Sequence, residues 1–378
     1  MPKVSIVLPT YNGEKYIRES IDSILCQNFE DWELIIVDDC STDHTPEIID
    51  GYAGKDGRIK VIHNRVNQKL PEALNVGFRE AVGECLTWTS DDNRYMQNAI
   101  REMYSKLTDN EEVKMVCADM KLIDMEGEIR GKCLPYEEER MLYENCVGAC
   151  FMYKREVLEQ VGDYDSGMFC VEDYDYWLRV LVRFGKIEHI AKCLYLYRQH
   201  EDSLTFTKKE KIWLQLLKLR EKYQEFIFGH LYKNREMTCS MYYDFLEGGR
   251  DRNYFVEKAN EWIPELACEK KTIKESDRYV IFGAGKIGES AFKDLKGKVI
   301  FFVDNDKGKC GKTKCGLPIR DVSALKENKM DYVIMVAVFK NYLYPILHQL
   351  YEEKIFNYIT YPYYKMVMER GRMETIDG

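Results

Sequence analysis

The 378-residue sequence has no apolar run approaching the roughly 18 residues that a membrane-spanning helix needs. It opens Met-Pro-Lys and passes directly into VSIVLP, without a charged leader, an apolar h-region or a cleavage site, so no export signal is expected. Its thirteen cysteines form no paired framework, and an odd count in an unexported chain points to reduced thiols in the cytoplasm. Cys310 and Cys315 stand four residues apart with no second pair or histidine cluster, which favours free thiols over zinc. Positive charge is also in deficit. A formal net charge of −9 argues against a general nucleic-acid binder, whose polyanionic target would be repelled, but leaves room for a local basic pocket for a phosphorylated small molecule. There is no internal repeat and no low-complexity block.

What is present suits a folded chain of two domains with connecting helices: 45% hydrophobic residues, and 13% aromatic with 27 tyrosines, which argues against disorder. VSIVLP (4–9), ELIIVDD (33–39), IKVIHN (59–64) and ECLTWTS (84–90) read as strands. Between them lie helical patterns in EKYIRESIDSILCQ, in the segment opened by Thr45-Pro46 with Asp43 or Thr45 as cap, and in LPEALNVGFREAV (70–82). This alternation predicts a mainly parallel, doubly wound sheet. Further on, VKMVCADMKLID, GACFMY (148–153) and IEHIAKCLYLYR (187–198) read as strands, and EDYDYWLRVLVRFG (172–185) as an amphipathic helix. Charged helices follow, and KKTIKESD (270–277) reads as a linker. A second α/β unit starts at YVIFGAGKIGES (279–290), continues through KVIFFVDND (298–306) and MDYVIMVAV (330–338), and ends near the tyrosine-rich NYITYPYY.

Ligands of open parallel sheets bind beyond the carboxyl ends of the strands, where the strand order reverses. Thr10-Tyr11-Asn12, Asp38-Asp39 and Ser90-Asp91-Asp92 all fall at such ends, so they are expected to line one crevice. A phenol can stack on a base, a carboxylate can accept a base imide N–H, and two more carboxylates can hold a divalent cation. That set suits a nucleoside diphosphate with magnesium or manganese. Taken alone, Asp91-Asp92 reads equally as a cap for the helix near Asn98, and Asp38-Asp39 as an Asx turn. The coincidence of three clusters favours the metal.

VSIVLPTYNGEKYIRESIDSILCQ, WELIIVDDCSTD and TSDD together resemble the nucleotide-binding half of a family 2 glycosyltransferase of the GT-A fold. GACFMYKREVLEQVGDYD, VEDYDYWLR and LYRQHEDSLT are similar to that family's acceptor-side motifs, so the resemblance covers roughly residues 1–205. It implies that Thr10, Tyr11 and Asn12 contact the nucleotide and that Asp39 meets the base. Asp92 would be the surest metal ligand of a DXD-type motif, with Asp91 in the middle position and Ser90 in place of the first acid. Asp173 would be the catalytic base, kept ionised by the dipole of helix 172–185. Decoration of the helix start by Glu172 and Asp173 is the plainer alternative. Arg198 and His200 resemble a segment that closes over the diphosphate or metal; an exposed histidine beside Glu201-Asp202 is the alternative. NQKLPEALN departs from the family pattern, with Lys69 where glycine is usual and Leu74 where arginine is usual, and Lys69 would supply positive charge near the phosphates.

Gly283, Gly285 and Gly288 form G-x-G-x-x-G between a strand and a helix, the context such a phosphate loop requires. Asp304 ends the next strand, where it is expected to bind a ribose hydroxyl, although it comes slightly early by the usual spacing. The segment resembles Rossmann-like domains attached to bacterial sugar-modifying enzymes. It reads as a nucleotide-binding or regulatory accessory domain, with an active NAD enzyme or a dimer contact as alternatives.

The expectation is therefore a GT-A domain at 1–205 with a doubly wound mixed sheet, a helical linker region at 206–276, and a smaller Rossmann-like α/β domain at 277–378. The resemblance implies an inverting, Mn2+- or Mg2+-dependent cytoplasmic glycosyltransferase using a nucleotide-sugar donor, a UDP-sugar by preference. Its acceptor would be a bacterial surface glycan or lipid-linked carrier. NAD-dependent nucleotide-sugar modification and non-catalytic sensing are the competing functions. The helix KKEKIWLQLLKLREKY reads either as a packing element or as a peripheral contact with the inner face of the membrane.

Overall fold

The computed structural model describes residues 1–132, 136–269, 272–327 and 332–374. The chain divides into two compact units, Met1–Leu219 and Arg220–Gly378.

In the first unit, β1 (Val4–Thr10), β2 (Trp32–Asp38), β3 (Ile59–His63), β4 (Cys85–Trp88), β5 (Arg94–Tyr95), β6 (Met115–Ile123), β7 (Ile129–Lys132), β8 (Phe151–Lys154) and β9 (Glu188–Arg198) share one mixed sheet. The order is β3-β2-β1-β4-β8-β6-β9-β5, with β7 paired to β6. β3, β2, β1 and β4 run parallel, whereas β8 is antiparallel to both β4 and β6. The chain leaves β1 for β2 on one side and later returns to β4 on the other, which makes the carboxyl ends of β1 and β4 the topological switch point.

Every residue of β1 and β2 is buried, so both sheet faces need cover. On one face Val4, Ile6, Leu8, Leu34 and Ile36 pack with Ile17, Ile21 and Ile24 of α1 (Ile17–Leu25) and with α2 (Thr45–Ala53). On the other, α3 (Leu70–Glu80) lies on β1 and β2 through Gly77, where a Cβ would sit 2.4 Å from Val7 Cγ1. The unit is completed by α4 (Ala99–Thr108), α5 (Glu138–Met141), α6 (Arg155–Val161) and α7 (Glu172–Phe184).

Strands inferred from continuous apolar runs match within a residue or two. GACFMY is shifted, the strand lying at Phe151–Lys154. β5 and β7 have two and four residues, too few to leave a pattern. His44, rather than the expected Asp43 or Thr45, occupies the N-cap of α2; Thr45 is its first residue, and Asp43 accepts the Thr45 N–H at 3.0 Å and the Glu14 N–H at 3.2 Å.

The second unit begins with helices Gln224–Leu231, Arg235–Glu247, Tyr254–Trp262 and Pro264–Ala267. The helical region expected as a linker thus falls on both sides of the division, since Leu204–Thr207 and most of Lys209–Lys222 belong to the first unit. The first two residues of KKTIKESD and of MDYVIMVAV lie outside the described residues. The sheet contains β10 (Tyr279–Phe282), β11 (Val299–Val303), β12 (Thr313–Lys314), β13 (Leu317–Arg320), β14 (Val333–Val336) and β15 (Tyr358–Thr360), in the order β12-β13-β11-β10-β14-β15. All pairs but β12–β13 are parallel, and the order reverses beside β10.

Because Val7 and Val37 leave no room above Gly77, Gly77→Ala is expected to lower stability by about 1–3 kcal/mol through overpacking. Urea unfolding of the two proteins measures the difference.

Candidate active site

Parallel pairing sets the three predicted clusters side by side. Thr10 is in register with Asp38, the Asp39 N–H donates to the Thr10 carbonyl at 2.9 Å, and the Thr89 N–H to the Val7 carbonyl at 3.0 Å. The Thr10 hydroxyl then donates to Asp91 Oδ2 at 2.5 Å. Gly13 permits this contact: a Cβ there would lie 2.3 Å from Asp91 Oδ2. Asn12 has φ of 55° and joins the first loop to the second, its Oδ1 accepting the Thr42 N–H at 2.8 Å and its own N–H donating to Ser41 Oγ at 2.9 Å. Tyr11 leaves its ring 51% exposed.

Asp39 is buried. It accepts from Asn64 Nδ2 at 2.9 Å, the Gln68 N–H at 2.9 Å and the Lys69 N–H at 2.8 Å. Three of about four acceptor positions on a carboxylate are therefore occupied by the 64–69 loop. The exposed Lys69 has φ 73° and ψ 164°, a region entered readily only by glycine and costing other residues about 1–3 kcal/mol.

The acidic doublet does not cap α4, whose N-cap is Asn98. Burial, and then the adjacent Asp92 charge, push the Asp91 carboxyl up to about 7. Asp92 Oδ2 meets His200 Nε2 at 3.0 Å, while Asp92 Oδ1 and His200 Nδ1 are both buried without a hydrogen-bond partner. Unpartnered buried polar atoms are costly. A buried carboxylate oxygen left so, on a carboxylate whose other oxygen faces an imidazole nitrogen, fits a divalent cation such as Mn2+ or Mg2+ shared by Asp92 and His200 Nε2. Among the described residues, no group of three or more His, Cys, Asp or Glu could hold a metal by itself, so a cation here needs oxygens from a ligand.

The expectation that Arg198 faces a diphosphate is corrected. Its side chain has no exposure; Nη2 donates to Glu19 Oε2 at 2.7 Å, Nε to the Asp92 carbonyl at 2.9 Å, and Nη1 to the carbonyls of Asp124 and Met125 at 3.1 and 2.8 Å. The guanidinium also lies 4.3 Å from the Tyr16 ring centre. Its donors are turned into the protein, and it braces Asp92 from behind.

Asp173 lies in the first turn of α7 and makes a separate set of contacts. It accepts from Asn145 Nδ2 at 2.8 Å and from the Tyr174 N–H at 2.7 Å. Val171 is the N-cap, without a side-chain bond, so neither Glu172 nor Asp173 caps the helix. The expected effect of the helix dipole is also corrected: burial raises the Asp173 carboxyl, against the opposing hydrogen bonds from Tyr174 and Asn145. Buried Glu172 accepts the Cys170 N–H at 2.7 Å, and burial followed by the Asp173 charge pushes it up to about 8. Asn145 lay outside every sequence motif.

In the second unit, Gly283 has φ of 112° and a Cβ there would lie 2.5 Å from the Ala337 carbonyl; one on Gly288 would lie 1.8 Å from the Gly283 carbonyl. Gly285 faces open space at the start of helix Lys286–Asp294. Asp304 is buried and turned onto this loop, accepting the Ala284 N–H at 2.8 Å, the Asp306 N–H at 2.9 Å and Lys309 Nζ at 3.1 Å. Burial opposes its charge, but these bonds prevail and lower its pKa. The expectation that Asp304 stands free for a ribose is corrected accordingly: it clamps the glycine loop.

A parallel half-sheet ending in an acidic doublet, continued through the antiparallel β8 into the parallel pair β6 and β9, places the first unit in the nucleotide-diphospho-sugar transferase fold class. A mannosyltransferase of Pyrobaculum calidifontis, solved in complex with GDP-Man and Mn2+, superposes with a TM-score of 0.51 over 72% of this chain and 76% of its own, at 16% identity. The sequence profile of glycosyl transferase family 2 matches residues 5–162. An uncharacterised glycosyltransferase of Rickettsia typhi is 30% identical over 244 residues, 60% of this chain and 74% of that protein. One of Methanocaldococcus jannaschii is 27% identical over 253 residues, 64% and 83% respectively. The chain belongs to glycosyl transferase family 2 and is a glycosyltransferase.

Two outcomes are expected from the site alone. Lys69→Gly should stabilise the protein by about 1 kcal/mol, because relief of backbone strain exceeds the added entropy of an unfolded glycine; the thermal midpoint reads it. Glu172 has a folded pKa raised from 4.5 to about 8, so its contribution to stability is full below 4.5 and is lost as pH rises through 8. Thermal midpoints from pH 5 to 9 should therefore fall less steeply in Glu172→Gln than in the parent.

Proposed function

We propose that the first unit transfers a sugar from a nucleoside-diphosphate donor, a UDP-sugar by preference, to a hydroxyl of a bacterial surface glycan or lipid-linked acceptor. One observation carries the reading: at the switch point of the sheet Asp92 Oδ2 faces His200 Nε2 at 3.0 Å while Asp92 Oδ1 is buried and unpartnered. In this reading Asp92 and His200 would hold Mn2+ or Mg2+ together with oxygens of the donor. Such a cation would supply positive charge to a departing diphosphate.

The protein's own groups do the rest. Tyr11 offers its exposed ring to the base, and Asn12 holds the first loop in place beneath it. Asp39 has one acceptor position left for a base N–H and keeps the 64–69 loop closed through the other three. Thr10 orients Asp91 by its hydroxyl, and Lys69 contributes charge near the phosphates. Asp173, raised toward neutrality by burial, receives the acceptor hydroxyl's proton at its carboxylate. Attack from the face opposite the diphosphate inverts the anomeric centre. The second unit acts as a nucleotide-binding, Rossmann-like accessory. NAD remains among its candidate ligands, although the engagement of Asp304 with Ala284 and Lys309 weighs against NAD-dependent redox. The protein works in the cytoplasm in this reading.

Calorimetric titration of UDP and GDP, with and without Mn2+, provides the test. One nucleotide should bind in a metal-dependent way, and Asp92→Ala should abolish that dependence. Asp173→Asn should reduce turnover by about 10²–10⁴-fold and leave donor binding intact, as expected for a general base. Binding indifferent to both Mn2+ and Asp92 would refute this site.

A further inference from the structure

Directly after His200 the chain forms a short helix, Leu204–Thr207, and then the longer helix Lys209–Lys222. Leu217 and Leu219 of the longer helix are fully buried, and Gln215 Nε2 donates to the Gly167 carbonyl at 2.8 Å. The helix is thus anchored on one face. Another stripe is uncovered: residues 204–211 are continuously exposed, and Leu214 and Lys218 continue the exposed stripe at helical spacing. Leu204, Phe206 and Leu214 are 43%, 51% and 48% exposed. Isolated exposed apolar side chains are ordinary, but here three fall within eleven residues of sequence, beside a run of lysines.

The charge on this patch is opposite to that of the chain. Lys208, Lys209, Lys211 and Lys218 stand against the single acid Glu210, in a protein of net charge −9. Among the described residues none of these four lysines makes an ion pair. Lys209 Nζ lies 4.1 Å from the centre of the Phe206 ring, and Lys211 Nζ 4.4 Å from that of Phe169, so two of the cations sit over aromatic rings at the surface. Basic heads above exposed Phe and Leu side chains match the headgroup and acyl layers of an anionic bilayer. No helix among the described residues is long and apolar enough to cross that bilayer.

We propose that residues 204–218 form a docking surface for the anionic lipid surface of a membrane. For its sense this rests on the transferase reading above, since the surface begins four residues after His200 and would bring the candidate metal pair close to a lipid-linked acceptor. The lysines supply attraction where the rest of the acidic chain is repelled, and Phe206, Leu204 and Leu214 enter the headgroup boundary.

The test is partition of the full chain onto vesicles of phosphatidylcholine alone or with about 30% phosphatidylglycerol, a composition chosen because each lysine near an anionic surface contributes about fivefold. The chain should bind only the anionic vesicles, and high salt should release it. Lys208→Glu, Lys211→Glu and Lys218→Glu combined should lower partition by about a hundredfold or more. Phe206→Asp should lower it by about tenfold or more. Thermal midpoints and nucleotide titrations of the variants confirm that they fold. Asp92→Ala should still bind vesicles; partition that persists while the metal dependence of nucleotide binding is lost separates this surface from the catalytic reading. Absent or equal partition on the two vesicles, charge reversal without effect, or a Phe206-dependent dimer that ignores lipid would each overturn the proposal.

Discussion

The first unit's site is held together by one buried guanidinium. Arg198 ends β9, and its donors reach Glu19 on α1, the Asp92 carbonyl after β4, and the carbonyls of Asp124 and Met125 after β6. A charge without solvent must have its donors satisfied or the fold bears a large penalty. These four elements are therefore constrained to meet at one point. Asp92 is gripped through its backbone by Arg198 and through its side chain by His200, two residues further along the same chain. The backbone contact fixes where the carboxylate stands, which leaves Oδ1 as an open ligand position.

Two adjacent acid pairs illustrate how environment separates similar sequences. Asp91-Asp92 has a hydroxyl donor on one carboxylate, an imidazole on the other and an unpartnered oxygen, so its repulsion is relieved by added positive charge. Glu172-Asp173 has an amide and a backbone N–H as donors on Asp173 and one backbone N–H on Glu172, and burial favours retaining a proton on Glu172. The first arrangement suits a cation and the second suits proton transfer. In the second unit Asp304 shows a third outcome, in which three donors keep a buried carboxylate charged and commit it to the loop beside it.

Much of the parallel half-sheet was legible because strands buried on both faces leave unbroken apolar runs, as in VSIVLP and ELIIVD. The positions of Thr10, Asp39 and Asp91-Asp92 at strand ends followed from the same runs. Gly13 and Asn145 were not legible, since their importance lies in contacts with Asp91 and Asp173, 78 and 28 residues away. Lys69 was visible as a departure from a glycine, but its left-handed backbone was not. Arg198 was misread because a motif shows that a guanidinium is near the site, not which way its donors point.

The sequence by itself determined the element order, the clustering of polar residues at the carboxyl ends of the strands, and the family to which these motifs belong. All three depend on local periodicity and short-range turn chemistry. Only the tertiary structure decided which polar groups are spent and which are left over: Arg198 and Asp304 turned inward, Asp92 Oδ1 and His200 Nδ1 unpartnered, Glu172 buried against Asp173. Hydrogen-bond satisfaction and desolvation depend on neighbours brought together by the fold, and no local pattern contains them.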